Sequence, residues 1–307
     1  MRHFYSLQDV DLSHSWVTIG TFDGVHLGHQ KIIRGLVENA HKRDQPAVVI
    51  TFHPHPKLVL GREKRAFYLT LPETRAELLH DLGVDVVITH PFNDRISRLS
   101  ARDFISRLDA HLGIKKLWVG YDFALGKDRE GDAETLRQLG QEFGFTLHQV
   151  EPHHIEGEVV SSSSIRSLLR KGKVQQASRL LGHLFQLSGE VVGGDKRGKD
   201  LGFPTANLDI PREMIQIKSG IYATYTIVDG ERMPSVTNVG FRPTFDDALD
   251  FPVVETYILD FSGDLYGQEL QLEFHTFLRD ELKFDAVPAL IEQMHRDVEH
   301  TRQVLEL

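Results

Sequence analysis

The sequence predicts a two-domain fold: an α/β domain built on a Rossmann-like parallel sheet, followed by an antiparallel β-barrel with a terminal helix. Three observations carry that expectation. Unbroken β-branched runs alternate with amphipathic helical patterns through the first half, the mark of βαβ units. Near residue 183 the texture changes to strand-like segments punctuated by Gly, Pro and Asp. With 307 residues, 40% of them apolar, the chain is long enough to bury two hydrophobic cores.

The elements follow in order. "WVTIG" (16–20), "AVVITF" (47–52), "VDVVITH" (84–90) and "KLWVG" (116–120) are apolar without alternation, which suits strands buried on both faces. Between them, "GHQKIIRGLVENAHKR", "LPETRAELLHDLG" and "SARDFISRLDAHLG" repeat apolar residues at three and four, as helices do. A parallel sheet binds ligands beyond the carboxyl ends of its strands, so the loops entering these helices are the place to look for chemistry. Two short helical pieces, "SIRSLLRKG" and "VQQASRLLG", lead to a boundary at 183/184. The strand-like segments "LFQLSGEVVG", "GIYATYTIVDG", "RMPSVTNVG", "PVVETYILDF" and "QELQLEFHTFL" then fit an antiparallel barrel or sandwich. A final helix presents Val287, Leu290, Ile291, Met294, Val298 and Leu305 as its apolar face.

Composition excludes several classes. The chain has no cysteine, which removes disulfides, thiolate metal sites and a cysteine nucleophile. A formal charge of −9 argues against a nonspecific nucleic-acid binder, whose affinity comes from clustered Lys and Arg. No apolar run reaches the roughly 18 to 20 residues of a membrane span, and the start lacks the pattern of a signal peptide. The cytoplasm is the expected compartment.

The first chemical constellation is "GTFDGVHLGHQKII". Gly20 ends a strand, Gly24 permits a sharp turn, and His26 and His29 fall on the first turn of the next helix, sharing a face. Gly28 between them leaves room for an anion to approach the backbone. A helix N-terminus attracts phosphate through its N–H groups and dipole, and imidazoles there add donors that follow developing charge. A solvent-facing histidine pair is the bland alternative, and zinc is a weaker one because Asp23 supplies at most one further ligand. Other loops reach the same sheet edge. "TFHPHPKL" offers His53 and His55, "GYDFALGKDREGD" offers Asp122, Phe123, Lys127 and Arg129, and "VVSSSSIRSLLRKG" offers serine hydroxyls with Arg166 one turn on.

Together, "GTFDGVHLGH", "FHPHP", "GYDFALGKDREGD" and "SSSSIR" resemble the HxGH nucleotidyltransferase module of bacterial bifunctional riboflavin kinase/FMN adenylyltransferases. The resemblance implies adenylyl transfer, in which the phosphate of FMN attacks the α-phosphate of ATP and pyrophosphate leaves. It implies that His26 and His29 stabilise the ATP phosphates and that Ser162 and Arg166 hold the departing pyrophosphate, with His26, His29 and Arg166 counted as catalytic. Asp122 and Phe123 would line the nucleotide or flavin pocket. Gly20, Phe22, Asp23, Gly24, Gly28, His55, Arg129 and Ser163 carry over as further nucleotide-binding positions. Tyr121 and Ser163 depart from the family pattern, the latter keeping the hydroxyl of the usual Thr.

A second constellation, "GGDKRGKDLGFPTANL" (193–208), nearly matches a P-loop through Gly193, Gly198 and Lys199. It fails at Asp200, where magnesium binding needs Ser or Thr, and at Pro204, which cannot sit inside the helix a P-loop requires. The same stretch resembles the riboflavin kinase signature, a glycine flap (Gly198, Lys199) leading into Pro204, Thr205, Ala206 and Asn207. In that family Thr205 and Asn207 place magnesium and ATP phosphates, and oxygen donors of this kind suit a hard cation. Glu255, a carboxylate between apolar strand residues in "VVETYILDF", matches the family's base, which takes the proton of riboflavin's ribityl hydroxyl.

The resemblance spans roughly residues 14 to 304. It implies an FMN adenylyltransferase domain at 1–183 and a riboflavin kinase domain at 184–307, with a riboflavin kinase-like barrel. It also implies Mg2+ with ATP as co-substrate, flavins (riboflavin, FMN and FAD) as substrates and products, no nucleic-acid or membrane partner, and a monomer or weak homo-oligomer. The rival readings are a monofunctional riboflavin kinase with an inactive first domain and a flavin-binding regulator.

Overall fold

The structure, a computed structural model, describes residues 2–63, 67–193, 202–241 and 252–307. The chain divides into two compact units, Met1–Arg65 with Thr70–Ser161, and Ala66–Leu69 with Ser162–Leu307.

The first unit is a six-stranded parallel sheet made of β1 (Arg2–Phe4), β2 (Ser15–Ile19), β3 (Ala47–His53), β4 (Val86–Pro91), β5 (Ile114–Gly120) and β6 (Thr146–Val150). Its strand order is β1-β4-β3-β2-β5-β6. The connections carry helices α1 (Leu27–His41), α2 (Pro56–Val59), α3 (Pro72–Asp81), α4 (Asp94–Ser97), α5 (Ala101–Leu112) and α6 (Ala133–Phe143), and a short hairpin, β7 (His154–Ile155) with β8 (Glu158–Val159), lies beyond β6. The four strands read from the sequence are buried on both faces. Val17, Val48, Ile50, Val86 and Ile88 pack on one side against Phe104, Ile105 and Leu108 of α5, while Val49 and Val87 pack on the other against Ile33 of α1 and Leu79 of α3. Burying each such side chain contributes about 1.5–3 kcal/mol, so the central strands are the rigid frame of the unit.

Helix ends in this unit are chemically specified. Ser100 and Asp132 accept hydrogen bonds from the backbone N–H groups of Asp103 and Thr135 at the starts of α5 and α6. Gly113 and Gly144 close the same helices at φ 53° and 80°. The strand order runs from β2 towards β3 and β4 on one side and towards β5 and β6 on the other. The crevice between β2 and β5 is therefore the topological switch point, where doubly wound sheets bind ligands.

The second unit is a closed antiparallel barrel of six strands, which settles the barrel-or-sandwich alternative. Its strands are β9 (Phe185–Val192), β10 (Ala206–Asp209), β11 (Gly220–Val228), β12 (Glu231–Phe241), β13 (Pro252–Ile258) and β14 (Glu269–Arg279), ordered β10-β13-β12-β11-β14-β9 and closed by the β10–β9 pair. Apolar residues such as Leu187, Val239, Val254 and Leu272 fill much of the interior. The remainder is a knot of fully buried hydroxyls: Thr224 with Ser235 (2.8 Å) and Thr237 (2.7 Å), Thr226 with Ser235 (2.8 Å), and Thr237 with Thr256 (3.0 Å). Each hydroxyl there finds a partner, the condition for tolerating polar atoms in a core.

Helices α7 (Ser162–Arg170) and α8 (Val174–Leu181) precede the barrel in this unit, and α9 (Val287–Val304) ends it. The apolar face expected of α9 needs correction at its start, because Val287 is 54% exposed. Leu290, Ile291, Met294 and Val298 are half-buried, and the residues most deeply buried on the helix are Asp297 and Thr301. The reason is an ion pair: Arg279 at the end of β14 donates to both carboxylate oxygens of Asp297, at 2.8 and 2.5 Å, so a polar clamp rather than the Val287 end docks the helix.

Candidate active sites

In the first unit, the loop leaving β2 turns sharply before α1. Phe22, Gly24 and Val25 all adopt left-handed φ, at 45°, 81° and 39°. A β-branched residue in that region is a genuine outlier, and such strain gathers at ligand sites. His26 is the N-cap of α1, its Nδ1 accepting the backbone N–H of His29 at 3.3 Å. An accepting Nδ1 puts the ring proton on Nε2, so the cap fixes the tautomer. The His29 ring stacks on that of His26, with centroids 3.6 Å apart and planes 17° off parallel. The sequence placed both histidines on the first turn, and the structure refines this to cap and third helical position with the rings in contact.

The glycines have steric roles that the sequence reading did not identify. A Cβ at Gly28 would stand 3.1 Å from two atoms of the His26 ring, so the missing side chain makes room for the imidazole. At Gly20 a Cβ would stand 2.9 Å from the Phe22 ring. Phe22 is buried in the core and meets His29 edge-on, 5.2 Å between centroids, which places it behind the histidine pair.

Asp23 is fully buried and faces an equally buried Arg75, with 3.6 Å between Oδ1 and Nη2. Thr70 stitches the two together. Its N–H donates to Asp23, its hydroxyl accepts the N–H of Gly24 at 3.0 Å, and its carbonyl accepts Arg75 Nη2 at 2.7 Å. Arg75 Nη1 also donates to Thr51 on β3 at 3.0 Å. This network holds the strained turn against the sheet. Thr70 and Arg75 were missed from sequence, where Arg75 reads as one more polar residue of an amphipathic helix.

The neighbouring loops of this unit follow β3 and β5. His55 is buried and caps α2, its Nδ1 accepting the N–H of Lys57 at 3.0 Å. After β5, Asp122 is exposed and Phe123 packs partly into the core. Arg129 adopts a left-handed φ of 62° and its guanidinium donates to the Asp122 carbonyl at 2.8 Å, tying the loop's two ends together.

Ser162, Ser163 and Arg166 belong to the second unit, at the start of α7. Ser162 is half-buried and Ser163 exposed. Arg166 is buried, stacked 4.5 Å from the Phe67 ring centroid, with Nε donating to the Phe67 carbonyl at 2.7 Å. In the barrel, Gly198 and Lys199 lie outside the described residues. Pro204 is exposed and Thr205 half-buried, directly before β10. Phe203 anchors this turn, its ring edge-on to Tyr257 at 5.2 Å and to His295 of α9 at 4.9 Å. Asn207 lies directly opposite Glu255 in the β10–β13 register, so amide and carboxylate share the outer face.

Comparison with known proteins decides what these sites belong to. A family model described as FAD synthetase matches residues 8–164, and one described as riboflavin kinase matches residues 181–305. The chain belongs to the bifunctional riboflavin kinase/FMN adenylyltransferase family. Relatives carrying that name are 36% identical in Escherichia coli strain K12, over 97% of this chain and 95% of theirs, and 36% identical in Listeria monocytogenes, over 93% and 91%. The relative in Pseudomonas fluorescens is 38% identical over 93% of this chain and 91% of its own. A solved structure from Streptococcus pneumoniae, named a macrolide-efflux protein, matches with a TM-score of 0.87 and 30% identity over 98% of both chains. Among the described residues, no helix is long and apolar enough to cross a membrane.

Proposed function

We propose that this riboflavin kinase/FMN adenylyltransferase family member phosphorylates riboflavin to FMN with ATP and then adenylylates FMN to FAD, releasing pyrophosphate. The observation that carries the reading is the presence, on one chain, of two sites suited to different phosphoryl chemistry. One is a stacked histidine pair on a helix N-terminus at a sheet switch point. The other is a carboxylate beside an amide on a barrel wall.

Adenylyl transfer uses a nucleophile that is already ionised, the FMN phosphate, so the first site needs positioning and charge stabilisation and no base. In our reading His26 and His29 supply both, aided by the N-terminal dipole of α1. The kinase step uses a neutral hydroxyl, and there Glu255 accepts its proton. Thr205 and Asn207 offer a hydroxyl and an amide oxygen two residues apart along an extended chain, beside the Glu255 carboxylate, and this donor set fits Mg2+. When bound, magnesium would offset charge on the ATP phosphates. We assign adenylyl transfer to 1–183 and kinase activity to 184–307, and we place the enzyme in the cytoplasm as a monomer or weak homo-oligomer without nucleic-acid partners.

Turnover of riboflavin with Mg-ATP, resolving FMN and FAD over time, tests this. His29→Ala should stop FAD formation and leave FMN formation, whereas Glu255→Gln should stop FMN formation and leave the conversion of added FMN to FAD. If a folded variant of either kind lost both steps, the assignment of separate chemistry would be refuted.

A further inference from the structure

Phe22, Gly24 and Val25, all left-handed, form the turn into α1, and a conformation this unfavourable persists only where its surroundings over-determine it. Buried side chains pin the turn at three points. At its start, the Thr51 hydroxyl of β3 donates to the Thr21 carbonyl at 2.8 Å. At its end, Gln30 Nε2 of α1 donates to the Val25 carbonyl at 3.0 Å. In the middle stands Thr70, whose hydroxyl accepts the N–H of Gly24 at 3.0 Å and whose own N–H donates to Asp23 Oδ1 at 3.0 Å.

The Thr70 hydroxyl is fully engaged. Besides accepting from Gly24 it accepts from Arg75 Nε at 3.4 Å, and it donates to Asp23 Oδ1 at 3.4 Å, which uses its one proton and both lone pairs. Arg75 Nη1 also donates to Thr51 at 3.0 Å, so one guanidinium braces the first and middle pins together. Asp23, Thr51 and Arg75 are fully buried and Thr70 is 4% exposed. At that depth Thr70 acts on a substrate only through the turn. His26 directly follows Val25, so the turn sets where its backbone sits, and the His29 ring stacks on its imidazole.

We propose that Thr70 is a positioning residue for adenylyl transfer: its hydroxyl fixes the Asp23–Gly24 peptide and thereby the place of the His26 and His29 rings against the phosphates of ATP. This rests on the reading of the histidine pair as the charge-stabilising group of that reaction. In the step concerned, an oxygen of the FMN phosphate bonds the α-phosphorus of ATP. The bond to the α–β bridging oxygen breaks, and pyrophosphate leaves with the electron pair. The charge to be stabilised develops during the transfer, so a displaced ring pair costs rate at the transition state and leaves ground-state binding of FMN and ATP nearly unchanged.

The test uses the full chain. Thr70→Val keeps the shape of the side chain and removes the hydroxyl, whereas Thr70→Ser keeps the hydroxyl. In Thr70→Val, kcat for FMN-to-FAD conversion should fall about 10- to 100-fold per folded molecule, the scale of a misplacement approaching about 1 Å. KM for FMN and ATP should stay within about twofold, and riboflavin phosphorylation should be unchanged. The second readout is the imidazole 1H–13C spectrum of histidine-labelled protein, with the His26 and His29 signals assigned by their loss in His26→Gln and His29→Gln. Those two signals should move in Thr70→Val, because a neighbouring ring shifts them, while those of His90 and His111 stay in place. Thr70→Ser should restore both rate and signals. Four results overturn the proposal: an undiminished kcat, a rise in KM in place of the fall in kcat, an equal loss of kinase activity, or a slower enzyme whose His26 and His29 signals have not moved. If Thr70→Val fails to fold by circular dichroism, Thr70→Ala, which leaves room for a water beside Gly24, takes its place with the same outcomes. A His29→Ala enzyme that still forms FAD refutes the reading of the histidine pair, whereas an inactive His29→Ala enzyme beside an undiminished Thr70→Val enzyme refutes only the role of Thr70.

Discussion

Replacing Gly28 with alanine should separate stability from catalysis. The new Cβ would stand 3.1 Å from Cε1 and Nδ1 of His26 and 3.5 Å from the Val160 carbonyl, so the imidazole must recede by a few tenths of an ångström. It has little freedom to do so, being stacked at 3.6 Å on His29 and hydrogen-bonded to the backbone of the same helix turn. Two stability effects oppose each other. Alanine inside a helix gains about 1 kcal/mol over glycine, and a weakened N-cap costs about 0.5–2 kcal/mol. The balance is within about 1 kcal/mol, a shift of a few degrees in Tm. Catalysis has no such compensation. Because a misplacement of about 1 Å can cost about 100-fold, a few tenths should slow FMN-to-FAD conversion about tenfold. The assay is FAD formation from FMN with Mg-ATP, with riboflavin phosphorylation as the internal control and a thermal melt for the fold. A stable Gly28→Ala enzyme with undiminished FAD formation would show that the His26 ring position does not matter. Equal loss of both activities would point to a general structural defect.

Two further predictions concern the first unit. Arg75→Met should destabilise the protein by about 3–5 kcal/mol, because it leaves the Asp23 carboxylate buried opposite an apolar side chain, and Asp23→Leu/Arg75→Met should recover part of that loss in denaturant titrations. Equal stability of the single and double variants would show that the pair is not coupled. The second concerns pH. Burial pushes the His90 imidazole below its ordinary pKa and the neighbouring Arg107 charge adds to this, while the hydrogen bond to the Pro91 carbonyl opposes them. A histidine depressed in the folded state contributes stability that is fully present above its unfolded pKa, about 6.5, and is lost as pH falls towards the folded value. His90→Gln should therefore lose less Tm than wild type on going from about pH 7 to pH 5. Parallel slopes would refute it.

Sequence patterning reached as far as the physics is local. The buried parallel strands announced themselves because residues such as Val48, Val49 and Ile50 are apolar regardless of which face they meet. The edge strands β1 and β6 did not, since Arg2–Phe4 is short and Thr146–Val150 mixes polar with apolar residues at the sheet margin. Strand β10 was hidden inside a motif read as a glycine flap leading into Pro204, Thr205, Ala206 and Asn207, with no apolar alternation to mark a strand. The histidine pair was legible from its spacing and its place after a strand. Its supports were not, because Thr70 and Arg75 join Asp23 across about fifty residues and nothing local marks them. The meeting of Asn207 with Glu255 was invisible for a similar reason: only the pairing of β10 with β13 brings them together.

That pairing has an evolutionary corollary. Side chains on a strand alternate between faces, so deleting or inserting one residue between Val253 and Glu255 would turn the carboxylate into a space lined by threonine hydroxyls and valines, and would send Thr256 outward. Because every strand of a closed barrel has two neighbours, no shift of β13 could repair one seam without breaking the other. Lineages descending from this sequence can change length freely only at the hairpin tips, and the wall bearing Glu255 must be inherited with its residue count intact.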